Sequence, residues 1–156
     1  LVFVIVRVIS WNTPDEETSP MTAVLTPRVR TLVVCDRVIS PEEPDTICDL
    51  EGVRCLISAE EFPCAPSQLW IYLLLSNPRP GTFPGYVLVV DQTNDNAIFY
   101  GRIEPTFEED DLFVPVFLPL SCSFLHPGEY TVQILFLQRE TNKPDVVKAE
   151  QPFYVL

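Results

Sequence analysis

The sequence predicts an antiparallel β-sandwich of about seven to nine strands, and three observations carry that expectation. From residue 28 onward, apolar runs of strand length alternate with turn clusters at about the 8–12-residue spacing expected of a sandwich. Proline is abundant, 16 residues against 5 glycines, and falls mainly between the apolar runs, where it punctuates strands. No stretch sustains the period of an amphipathic helix.

The chain has 156 residues, enough for one domain that buries its own core without disulfides or metal. At 47% hydrophobic and 21% charged residues it is too apolar to stay disordered. Residues 1–9 (LVFVIVRVI) are apolar apart from Arg7 but far shorter than the roughly 20 residues of a membrane-spanning helix. They also lack the basic lead and small-residue cleavage site of a signal peptide, and their β-branched content suits a strand. The chain opens on Leu1, and its one methionine, Met21, follows the polar stretch 10–20. One reading places the start of translation at Met21, which makes 1–20 an N-terminal extension and 21–156 a single β-sandwich domain.

The expected strands are 29–40, 46–58, 68–75, 86–91, 97–103, 112–120, 130–138 and 146–155. Tyr130, Val132, Ile134 and Phe136 alternate with Thr131 and Gln133, so the first set is expected to face the core. Leu112, Val114, Val116, Leu118 and Leu120 form a similar face. Pro115 and Pro119 hold the opposite parity and donate no hydrogen bonds, which places that strand at a sheet edge or at a bulge. Hairpins are expected at 40–45 (SPEEPD), 92–96 (QTNDN) and 139–145 (RETNKPD), and 78–85 (PRPGTFPG) is a stiff turn that carries the chain between sheets.

A net charge of −12 repels phosphate backbones and anionic lipid surfaces, so neither nucleic acid nor membrane is an expected partner. A steered protein partner would be basic. The five cysteines, Cys35, Cys48, Cys55, Cys64 and Cys122, include no CxxC. They read as small apolar side chains in a reducing cytoplasm, with one or two disulfides of an exported protein as the alternative.

Catalysis by a Cys–His or Ser–His arrangement would have to use His126, the only histidine, which stands before Pro127-Gly128 in an expected loop and reads as a solvated turn residue. The cysteine spacings match no zinc finger or ribbon. Glu108, Glu109, Asp110 and Asp111 have oxygen ligands for calcium but not the spacing of an EF-hand, and they read as a self-repelling loop, as do Glu42, Glu43 and Asp45. No phosphate-binding glycine pattern occurs. Trp11, Phe83, Phe107 and Phe124 stand near expected loops, where aromatics anchor a partner or cover the ends of the core. No catalytic, cofactor-binding or metal-ligating residue is therefore assigned, and no cofactor is implied.

The segment 126–136 (HPGEYTVQILF) resembles the Pro-Gly-x-Tyr entry to a late strand of immunoglobulin-like sandwiches, where a tyrosine ties down the preceding corner. The resemblance gives that role to Tyr130 and likens Trp70 to the core tryptophan of a middle strand, although no cysteine pair brackets it as in antibody domains. With 30–39 (RTLVVCDRVI), the later strand pattern and GEYTVQI, most of 29–156 looks like an uncharacterised bacterial β-sandwich family, a domain of unknown function. Cys35–Asp36 is its most distinctive element. The resemblance implies an immunoglobulin-like fold and a bacterial origin, and supplies no activity.

The leading functional expectation is a non-enzymatic module that binds a protein through a loop end or a sheet edge, either the first strand or the proline-interrupted one. The alternatives are a small-ligand or calcium-binding domain using its acidic loops, a divergent enzyme, and a component of a virion or surface structure. Oligomeric state stays open.

Overall fold

In the computed structural model residues 26–39, 48–76, 79–137 and 147–156 are described. They form no helix and eleven strands: β1 (Arg28–Ile39), β2 (Asp49–Arg54), β3 (Leu56–Ile57), β4 (Trp70–Ser76), β5 (Gly81–Thr82), β6 (Gly85–Asp91), β7 (Asn96–Ile103), β8 (Thr106–Phe107), β9 (Val114–Pro119), β10 (Gly128–Phe136) and β11 (Ala149–Val155). A four-stranded sheet runs β2-β1-β4-β9, a five-stranded sheet β3-β11-β10-β6-β7, and β5 pairs β8 in a small ribbon.

Period-two patterning explains how the two larger sheets close on one core. Tyr130, Val132, Ile134 and Phe136 of β10 are fully buried, as their alternation predicts, and meet Val87 and Val89 of β6 and Phe153 of β11. From the other sheet, Leu32 and Val34 of β1 and Ile71, Leu73 and Leu75 of β4 enter the same cluster. Each such side chain contributes roughly 1.5–3 kcal/mol when fully buried. Val114, Val116 and Leu118 of β9 pack on this core. Leu112, expected on that face, is 76% exposed because the strand begins only at Val114.

The expected strand 46–58 is two strands in different sheets. Gly52 takes φ 63°, and a Cβ there would strike the Asp36 carboxylate, while the chain bends at Cys55. β2 therefore pairs antiparallel with β1, whereas β3 pairs parallel with the last strand, Leu56 opposite Tyr154. Two expected hairpin turns, 40–45 and 139–145, fall wholly outside the described residues, as do residues 1–20; the strands flanking each turn pair antiparallel. The turn at 92–96 joins β6 to β7, with Asp95 in the left-handed region at φ 56°. The segment before β6 takes the chain from the four-stranded to the five-stranded sheet, as expected.

Trp70 does not sit between the sheets. β4 (WIYLLLS) is apolar on both faces, and Trp70 lies on the outer parity, packed on a second cluster of Val33, Cys35, Cys48 and Tyr72 and edge-on to Phe117 at 6.2 Å. The inner positions of β4 belong to Ile71, Leu73 and Leu75 instead.

Candidate functional site

His126 is engaged rather than free. Its Nε2 lies 2.8 Å from Asp91 Oδ2, its Nδ1 lies 3.0 Å from the Pro127 carbonyl, and its ring stacks on Tyr130 with centroids 6.0 Å apart. Both ring nitrogens face acceptors, so only the doubly protonated imidazolium satisfies both contacts. The Pro127 carbonyl raises its pKa above the ordinary histidine value; desolvation opposes the rise and the contact with Asp91 adds to it. With both ring nitrogens engaged, the imidazole ties Asp91 to the Pro127 turn.

Asp91, buried at the end of β6, is the hub of that corner. Burial pushes its carboxyl up, but the Thr93 N–H at 2.9 Å and the contact with His126 outweigh burial and hold it below the usual carboxylate range. Asn94 Nδ2 also donates to it at 3.2 Å. Across the corner the Tyr130 hydroxyl donates to the His126 carbonyl at 2.8 Å, which is the tie that the late-strand motif implied. The arrangement fixes the turn entering β7 and the entry to β10 together.

The acidic run closes on itself, since the Glu108 N–H donates to Asp111 Oδ2 at 2.7 Å and the Asp111 N–H to the Glu108 carbonyl. Among the described residues no three His, Cys, Asp or Glu side chains converge as a metal ion would require. Glu42, Glu43, Asp45 and Trp11 lie outside the described residues. Phe83, Phe107 and Phe124 are buried, the first two edge-to-face at 5.9 Å, so they cover the ends of the core. Among the described residues the large exposed aromatics are others, with Tyr100 the most exposed at 69%. All five cysteines stand free, Cys35 and Cys48 buried and Cys55 exposed. No described helix is long and apolar enough to cross a membrane.

What distinguishes one region is the hydrogen-bonding state of the sheet edges. In β9 the Leu120 N–H donates to the Leu69 carbonyl at 2.8 Å, so Val114, Val116 and Leu118 turn their backbone groups toward β4. Pro115, Phe117 and Pro119 then face outward, and only Phe117 carries an N–H there. The proline-interrupted strand is indeed an edge, but its free side is closed to strand addition.

β7 is the opposite case. Gln92 N–H donates to the Glu129 carbonyl at 3.1 Å and Leu137 N–H to the Pro84 carbonyl at 2.8 Å, which assigns the even-numbered residues of β6 to β10 and the odd-numbered ones to β7. With Val89 opposite Phe99, Val87 opposite Gly101 and Gly85 opposite Ile103, those β7 residues bond inward. Tyr100 and Arg102 direct N–H and C=O away from the sheet, with no described strand beside them. A bulge sets this parity: the register shifts between Val89 and Val90, leaving Ile98 as the extra residue beside Phe99, and both pack on the core. Arg102 is ion-paired with Glu104.

The remaining edges are less available. β2 bears Asp49, Glu51 and Arg54 around the left-handed Gly52, with Arg54 Nε 2.9 Å from Asp36 Oδ1, and β3 is two residues long. The first strand, β1, is internal among the described residues. Sequence reasoning missed the β7 edge because nothing local in NAIFYGRI marks it as a terminal strand. No protein-family model matches the chain, and no curated protein matches it in sequence.

Proposed function

We propose that this protein is a non-enzymatic interaction module of immunoglobulin-like character that captures an extended segment of a partner protein by strand addition along β7. The observation carrying the reading is the outward N–H and C=O pairs of Tyr100 and Arg102 on a proline-free edge. Main-chain hydrogen bonds to such an edge give affinity, and the side chains flanking it give selectivity. Tyr100 supplies exposed aromatic surface directly beside that backbone, and the net charge of −12 favours a segment carrying lysine or arginine. The immunoglobulin-like character is supported by the bond from Tyr130 to the His126 carbonyl at the start of a late strand.

The test exploits parity. Proline at position 100 removes only an outward N–H, so Tyr100→Pro is expected to leave the fold intact and to lose a stoichiometric partner recovered from native lysate by the unaltered full chain at low salt. Capture undiminished by Tyr100→Pro, or no partner recovered by either protein, overturns the reading.

A further inference from the structure

Cys64 lies in the segment between β3 and β4, and Cys122 in the segment between β9 and β10. The two segments meet at one isolated antiparallel bridge, in which the Cys64 N–H donates to the Phe124 carbonyl at 2.9 Å and the Phe124 N–H to the Cys64 carbonyl at 2.8 Å. Cys122 stands two residues before Phe124, so the bridge brings its segment alongside that of Cys64. Both cysteines pack, half-buried, on the core that contains Phe124. Burial pushes the Cys122 thiol up to about 11, and the charge of Cys64 adds to the rise, which is a mark of their closeness. Cys55, by contrast, is exposed and lies outside both clusters.

We propose that Cys64 and Cys122 are a redox-responsive pair that closes into a disulfide by exchange with an oxidised low-molecular-weight disulfide such as oxidised glutathione. The Cys64 thiolate attacks one sulfur of the small disulfide, whose S–S bond breaks and releases one small thiol. The Cys122 sulfur, on losing its proton, then attacks Cys64 and displaces the second small thiol. Two protein thiols are oxidised, one small disulfide is reduced to two thiols, and the two protons end on those products.

Geometry makes the closure feasible. The Cys64/Phe124 bridge already holds the two segments side by side, and a disulfide needs Cα atoms about 6.8 Å apart or less. Residues 121–123 and 65–68 carry no strand, and their approach breaks no sheet ladder. The raised Cys122 pKa slows the second step at neutral pH and makes closure faster as pH rises.

Native protein is incubated with excess oxidised glutathione at pH 8.5, alkylated without reductant, digested and examined by mass spectrometry beside its Cys64→Ser, Cys122→Ser and Cys55→Ser variants. A peptide pair linked through Cys64 and Cys122 is expected, formed by the native chain and by Cys55→Ser and absent from the other two. The oxidised form is expected to melt roughly 5–10 °C higher, since the bond closes a long loop. Glutathione retained as a mixed disulfide on Cys64, oxidation confined to Cys55, or linkage only after addition of denaturant would each overturn the proposal.

Discussion

β9 and β7 end different sheets, and their outward sides are opposite in kind. On β9 two of the three outward positions are proline, so the row of donors that another chain would need is missing. On β7 the outward positions after the bulge are Tyr100 and Arg102, both with intact N–H groups. Side-chain packing does not separate the two, because each strand turns alternate residues into the same core; Gly101 of β7 comes so close to Leu118 of β9 that a Cβ would stand 3.0 Å from its Cδ2. The difference lies in backbone chemistry alone, and it teaches that an edge is protected or offered by which parity the prolines occupy.

The sharpest way to break this contrast is to move the proline by one position. Gly101→Pro would remove an N–H that bonds to β6 and would crowd Leu118 and Phe99. It is expected to cost about 3–5 kcal/mol in urea unfolding. Tyr100→Pro is expected to cost under about 1 kcal/mol in the same experiment. Equal losses would show that the inferred parity of β7 is wrong.

The turn that launches β7 is the next lever. Asp91→Ala strips the acceptor from the Thr93 N–H, Asn94 and His126 at once, and a loss of about 2–4 kcal/mol in urea unfolding is expected. Its counterpart at the closed edge runs the other way. Replacing Pro115 and Pro119 together by threonine restores outward donors to β9, with stability expected to stay within about 1 kcal/mol. The expected result is concentration-dependent self-association by light scattering beyond any shown by the unaltered chain.

The smallest expected effect is on pH dependence. The Asp91 carboxyl sits below its ordinary value, so the stability it adds is present above the unfolded carboxyl pKa and is lost as pH falls through the lower folded one. The His126 pKa is raised, so its contribution is complete below the unfolded value of about 6.5 and disappears as pH rises through the folded one. A shallow maximum in Tm is expected in the weakly acidic range between them, and His126→Gln should remove its alkaline shoulder.

Much of the core was legible because period-two patterning acts locally: Tyr130 to Phe136 need only their own neighbours to declare a face. The edge position of β9 was legible for the same reason, through two prolines of one parity. Three features were not. Trp70 stands in a strand that is apolar on both faces, so its pattern could not say which face meets the core. The break at Cys55 shows in sequence only as Gly52, three residues earlier, with no proline or asparagine to mark it. The exposed side of β7 depends on strand order, which is settled by distant pairings rather than by any residue in the strand.

The parallel pairing of β3 with β11 bears on how the molecule is made. The ladder partners of Leu56 and Ile57, Tyr154 and Val155, are synthesised 98 residues after them (154 − 56). Until then β10, too, lacks the neighbour that covers one of its sides. The four-stranded sheet can pair earlier, because β9 completes it before β10 and β11 exist. One half of the molecule is thus able to assemble during synthesis while the other waits, so folding is expected to be slow and its last step to be a zipping of the final strand between two that are already in place.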